Sequence, residues 1–103
     1  MGNSNSGYYH NLAQYYSKRG NVYLDIEKYQ KAIDDFNDAI RFSNNENEKA
    51  QYYDWRAKAH YENGDIKRYR EDLEKAADLY QQQGKTTKYQ TAMEQLEKNQ
   101  EQE

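Results

Sequence analysis

The sequence predicts an all-α fold of five helices, arranged as two helical hairpins and a closing helix. Three observations lead there. Aromatic and small residues recur at helical spacing, as Tyr16, Gly20 and Tyr23 and then as Tyr29, Ala32, Phe36 and Ala39. Steps of three and four residues put each set on one face, so each helix carries aromatic knobs beside Gly or Ala holes. The pattern then returns: Tyr53, Ala57 and His60 follow the first helix, Tyr69, Leu73, Ala76 and Ala77 follow the second, and aligning Ala13 with Ala50 sets the units 37 residues apart. Finally, Leu, Ile, Val and Phe together number only 12 in a chain that is 32% charged, a balance that ordinarily favours disorder. The 12 tyrosines change that reading. Each buries a ring while its hydroxyl reaches water or a carbonyl, which suits a thin, quasi-linear stack of helices.

Taken in order, residues 1–6 read as a flexible start ending in a helix cap at Asn5 or Ser6, followed by one domain over 7–98. The first helix spans about Gly7 to Asp25, with Tyr9, Leu12, Tyr16, Gly20 and Tyr23 along one face, and a turn follows around Ile26 to Lys28. The second runs from Tyr29 to Phe42 with Ala32, Ile33, Phe36, Ala39 and Ile40 inward. Ser43 to Asn47 form a polar loop, and an asparagine there caps the third helix. That helix covers Glu48 to Asn63 and ends at the Gly64-Asp65 turn. The fourth, Ile66 to Gln83, turns Tyr69, Leu73, Ala76, Ala77 and Tyr80 inward and closes at Gly84, a residue suited to the left-handed conformation past a helix end. Thr86 or Thr87 caps a last helix to about residue 98 carrying Tyr89, Ala92, Met93 and Leu96, and 99–103 fray. The units are thus about 8–43 and 48–83, and the closing helix is about 86–98.

This helix-turn-helix unit with its aromatic and small residues resembles the tetratricopeptide repeat. The resemblance covers about residues 8–98 and is strongest in 13–40 and 64–96. The closing run ADLYQQQGKTTKYQTAMEQLEK is similar to the end segment of many bacterial, especially cyanobacterial, proteins of that family. The chain departs from the pattern in having no proline after the second helix and no Gly-Asp pair in the first turn. The resemblance implies an α-solenoid of two repeats whose open apolar end is covered by a C-terminal solvating helix. It further implies a concave groove, lined by the first helix of each unit and by the closing helix, that holds peptides through positions between the packing residues. In the first unit these are Gln14, Ser17, Asn21, Leu24 and Asp25; in the second, Gln51, Asp54, Lys58, Tyr61 and Glu62, with Trp55 beside them. The closing helix, aligned through Tyr89, adds Thr87, Gln90, Glu94, Glu97 and Lys98. Asp25, Asp54, Glu62, Glu94 and Glu97 against Lys58 and Lys98 give this surface a charge of −3. The partner it implies is a protein or a neutral or basic peptide segment, with Trp55 and Tyr61 as apolar anchors. One branch of the family grips acidic chaperone tails with two lysines, two asparagines and an arginine at these positions; only Asn21 matches here, so no such binding is expected.

Other function classes find little support. A net charge of −3 and a pI near 5.4 argue against nucleic acid and anionic membranes, both of which select a basic stripe. No apolar run approaches the roughly 20 residues of a membrane span, and the start lacks the charge and apolar run of a signal peptide, so a soluble, cytoplasmic protein is the expectation. No cysteine is present to supply a disulfide, thiolate ligand or nucleophile. His10 and His60 lack the spacing of metal ligands, no serine sits in a nucleophile elbow, and there is no Gly-rich phosphate loop. Asp34-Asp35 and Glu71-Asp72 read as solvated faces of charge-alternating helices. No catalytic residue, metal or cofactor is predicted. The expected function is a non-catalytic protein-interaction module, monomeric with a homodimer as the alternative. The competing reading is an engineered or computationally generated repeat scaffold with no evolved ligand, since the GNS start resembles the lead-in of designed consensus repeats.

Overall fold

The computed structural model describes residues 3–100, which form five helices and no strand. They are α1 (Asn3–Asp25), α2 (Tyr29–Phe42), α3 (Glu46–Glu62), α4 (Ile66–Gln82) and α5 (Thr86–Gln100). Each helix packs against the next in the chain, and α1 also touches α3. The molecule measures 50 × 32 × 17 Å, so its short dimension holds fewer than two helices of about 10 Å diameter.

Three of the four connections are the same turn. At the end of α1, Lys28 N–H donates to the Tyr23 carbonyl and Glu27 N–H to that of Leu24. Asp65 and Gly64 repeat this pair of bonds to His60 and Tyr61, and Lys85 and Gly84 to Tyr80 and Gln81. Bonds reaching back five and three residues form the Schellman closure, which needs a left-handed residue just past the helix. Gly64 and Gly84 meet that need at φ of 83° and 71°, whereas Glu27 does so with a side chain at φ 64°. The first turn therefore has the geometry of the other two without a Gly-Asp pair. The α2–α3 connection is different: Asn45 accepts from Asn47 and Glu48 N–H through its side chain, a local N-cap that starts α3 at Glu46, two residues earlier than the spacing predicts.

The core is made of rings set into alanine and glycine. Leu24, Ala32, Ile33, Phe36 and Ala59 form one cluster, with Tyr23, Tyr29 and Trp55 packed around it. Ala57, Tyr69, Leu73, Ala77 and Ala92 form its counterpart against Ile66, Tyr89 and Leu96. At Gly20 the fit is closest, because a Cβ there would stand 2.8 Å from the Phe36 ring. The equivalent pair 37 residues on is Ala57 with Leu73, a shallower hole facing a smaller knob.

One ion pair with a buried aspartate joins the helices of each hairpin. Arg19 donates from Nε and Nη2 to both Asp35 oxygens at 2.8 and 2.9 Å, and Arg56 does the same to Asp72 at 2.7 and 2.7 Å. Both pairs span 16 residues, and their corresponding members stand 37 apart. Asp35 and Asp72 are buried, which corrects their reading as part of a solvated face: each lies beside inward Phe36 or Leu73, at the edge of the packed face where the preceding helix covers it.

Other expectations shift as well. Asn5 and Ser6 lie inside α1, which already runs from Asn3, so they do not cap it; residues 1 and 2 lie outside the described residues. Thr86 is the first residue of α5, and Lys85 before it accepts from Tyr89 N–H through its carbonyl. α5 continues past residue 98 because Asn99 is buried and donates to the Tyr69 hydroxyl at 3.0 Å; residues 101–103 lie outside the description. Met93 and Tyr9 are exposed, not inward. The inward set Ala92, Leu96 and Asn99 rotates Met93 out, while Tyr9 stacks on Phe42 at 5.8 Å from the rim.

Two stability predictions follow from this packing. Gly20→Ala lowers the unfolding free energy by about 1–3 kcal/mol through overpacking, less about 1 kcal/mol returned by helix propensity. Gly20→Ala with Phe36→Leu, which copies the Ala57–Leu73 pair, loses less than the sum of the single changes in urea titrations; strict additivity would refute the steric account. Asp72→Ala costs about 3–5 kcal/mol because it strands a buried guanidinium. Asp35→Ala costs less, since the Arg19 side chain is 42% exposed and reaches water where that of Arg56, at 18%, does not. Equal losses would overturn that ordering.

Candidate functional site

Two neighbouring clefts lie on the side of the molecule lined by α1, α3 and α5. The first, about 240 Å³, is lined by Gln14, Ser17, Lys18 and Asn21 of α1 and by Glu48, Gln51, Tyr52 and Trp55 of α3. The second, about 570 Å³, is lined by Asp54, Trp55, Ala57, Lys58 and Tyr61 of α3, Tyr69 of α4, and Gln95 and Asn99 of α5. Trp55 lines both, so the clefts adjoin at its indole.

Trp55 is half-buried. Its ring lies 6.1 Å from that of Phe36 and 6.0 Å from that of Tyr52, so it bridges the core clusters of the first hairpin and the α1–α3 contact. One edge is held by packing and the other faces the cleft. Tyr61 sets its ring edge-on to buried Tyr69 at 4.9 Å, and Asn99 anchors the Tyr69 hydroxyl from α5. The second cleft thus has an aromatic floor with carboxamides on one rim.

The polar groups are tethered. Asp54 accepts a 2.8 Å hydrogen bond from the Tyr80 hydroxyl. Burial pushes its carboxyl above the usual carboxylate range, opposed by the Tyr80 bond and by Lys88. Burial beside Asp54 raises the Tyr80 hydroxyl in turn, so it stays a donor at neutral pH. Glu48 is reached by Gln14 Nε2 at 3.4 Å and lies 3.2 Å from His10 Nδ1. Ser17 Oγ donates to the Gln14 carbonyl and Asn21 Nδ2 to that of Ser17, which fixes both side chains against their own helix.

Of the residues placed in the groove by the sequence, the structure brings together Gln14, Ser17, Asn21, Gln51, Asp54, Trp55, Lys58 and Tyr61. Leu24 is instead a core residue packed with Ile33 and Phe36, because its position on the wheel faces α2. Asp25 and Glu62 are exposed at helix ends and line neither cleft. On α5 the alignment through Tyr89 is displaced: Gln95 and Asn99 line the second cleft, while Glu94, Glu97 and Lys98 line a neighbouring hollow with Thr91 and the shared Gln95, and Thr87 and Gln90 are simply exposed. The charge changes accordingly. The clefts hold Lys18 and Lys58 against Glu48 and Asp54, a balance in place of −3. Sequence reasoning missed Lys18, Glu48, Tyr52 and Gln95, although a strict 37-residue period carried into α5 relates Gln95 to Lys58 and Asn21.

A third hollow of about 350 Å³ opens between α2 and α4, over Arg56, His60, Asp65, Arg68 and Asp72. Several of its polar groups are already engaged: Arg56 with Asp72 and Asn37, and Arg68 with Asp65, while Glu71 and Lys75 also line it. Burial pushes the His60 imidazole below its usual range, so it stands neutral 3.6 Å from Asp72. Among the described residues no group of three or more His, Asp or Glu could hold a metal ion, and no helix is long and apolar enough to cross a membrane. No protein-family model matches the chain, and neither a curated protein nor a solved structure does.

A pH prediction follows from Asp54. Its folded pKa lies above the ordinary 3.8, so just above that pH the folded chain holds a proton that the unfolded chain has released. Ionisation of Asp54 therefore subtracts from stability as pH rises through this interval. Asp54→Asn, which still accepts from Tyr80, raises the urea midpoint at pH 7, and the gain shrinks towards pH 4. A lower midpoint at pH 7 would show that the charge itself is needed.

Proposed function

We propose that the chain is a tetratricopeptide-type repeat stack, with α1–α2 and α3–α4 as its two units and α5 as the solvating helix, and that it works as a non-catalytic peptide-binding module. The 37-residue recurrence of the Arg19–Asp35 and Arg56–Asp72 pairs supports the repeat reading. The observation that carries the binding reading is the pair of adjoining clefts, whose floor of Trp55, Tyr61 and Tyr69 offers aromatic area while Gln51, Gln95 and Asn99 offer carboxamides at their sides. Carboxamides both donate and accept, so they suit the backbone of a bound segment, and the aromatic floor suits one or two of its apolar side chains.

The balanced lining favours a neutral segment, with a basic residue accommodated beside Asp54 and acidic tails disfavoured by Glu48 and Asp54. Trp55 is the chain's single tryptophan, which makes its emission a direct reporter of the cleft. Titrating neutral, basic and acidic peptide pools shifts Trp55 emission with the first two, and Tyr61→Ala weakens that binding about tenfold or more, as loss of an aromatic anchor does. Preferential binding of acidic tails, or tight binding that leaves Trp55 emission unchanged, would refute this function.

A further inference from the structure

The two ends of the molecule are unlike. At one end α5 turns Thr87, Gln90, Glu94 and Glu97 to solvent, with Met93 its one exposed large apolar side chain. At the other, α1 exposes Tyr8 at 61%, Tyr15 at 53%, Val22 at 56% and Ile26, just past its end, at 55%. Steps of seven, seven and four residues hold these four within about 40° of each other around the helix, opposite the face buried by Ala13, Ser17, Gly20 and Leu24.

The part of this face before Lys18 is free of charge. Residues 1–17 contain no Lys, Arg, Asp or Glu in a chain that is 32% charged. Of the two cations near the stripe, Arg19 is already held by Asp35 and lies 5.2 Å over the Tyr15 ring. Lys18 is left at the edge. Tyrosine enrichment with charge depletion is the composition of an interface centre, whereas a solvated helix face carries the reverse.

We propose that this outer face of α1 pairs with the same face of a second copy, antiparallel, to make a closed homodimer. The face complements itself in one register. With Tyr15 set against the partner's Tyr15, Tyr8 meets the partner's Val22 and Val22 meets the partner's Tyr8. Lys18 then faces the partner's Leu12, and Arg19 the partner's Asn11, so no like charges are opposed. The area suffices: with flanking Asn11, Leu12 and the Lys18 stem, each copy offers on the order of 500 Å², and the pair buries about 1,000 Å², the lower bound of a specific interface. Growth into a filament is disfavoured because the polar outer face of α5 supplies no apolar complement.

Sedimentation equilibrium of the full chain from about 10 µM to 1 mM tests this. The mass rises from 12.4 kDa towards about twice that value. Tyr15→Glu, which sets two carboxylates face to face, moves the midpoint at least about tenfold higher in concentration while circular dichroism stays unchanged. The native chain has no cysteine, so Tyr15→Cys alone reports the register: it cross-links to its own copy under mild oxidation, and Met93→Cys at the far end does not. A mass fixed at 12.4 kDa up to 1 mM, equal cross-linking at both sites, or a Tyr15→Glu variant that still dimerises would overturn the proposal, including the case in which some other protein covers the face.

Discussion

Two aspartates that cannot be left alone fix much of this molecule. Asp35 and Asp72 lie buried on the second helix of each hairpin, where an unpaired carboxylate would carry a large desolvation penalty. Only a guanidinium from the preceding helix at the right height and rotation can satisfy both oxygens, as Arg19 and Arg56 do. A planar, forked pair tolerates little sliding, so it sets the register in which Phe36 meets Gly20 and Leu73 meets Ala57. The pairs need add little net stability to have this effect, because wrong registers are the states they penalise.

That register also divides the polar chemistry between two sides. The network of Arg56, Asp72, Asn37 and His60 closes on itself between α2 and α4. The opposite side receives what lies between the packing residues: amides, a few balanced charges and the half-exposed rings of Trp55 and Tyr61. A core so thin has no deep interior, so residues that pack the helices also line their surface. Trp55 serves both ends at once, since one edge touches Phe36 and Tyr52 while the other borders the cleft.

The ends of the molecule obey a different constraint. α5 is the last of the described helices, and its wheel is polar outside a narrow inward stripe of Ala92, Leu96 and Asn99, apart from the exposed Met93. α1 has no such polar outer face. More apolar area left at one end than at the other is an asymmetry that local packing of the hairpins does not explain, because neither Arg19–Asp35 nor the Gly20 contact depends on what Tyr8, Tyr15 and Val22 meet.

The sequence by itself determined the number of helices, the limits of α2 and the turns at Gly64 and Gly84. These are local properties: periodicity selects a face and a glycine or asparagine marks an end, with no reference to distant residues. Most of the cleft was legible for the same reason, since Gln14, Ser17, Asn21, Gln51, Asp54, Lys58 and Tyr61 sit at fixed offsets from the packing residues. What only the tertiary structure decided was rotation and neighbourhood. The turn of α5 about its axis depends on which of its residues Ala57 and Tyr69 receive, and this brought Gln95 and Asn99 to the cleft in place of Glu94 and Glu97. Whether Asp72 is solvated depends on a guanidinium 16 residues earlier in sequence, and whether Leu24 is surface or core depends on Phe36 and Ala59. A helical wheel orders residues around one axis, but burial is set by a second and third helix whose approach no single wheel contains.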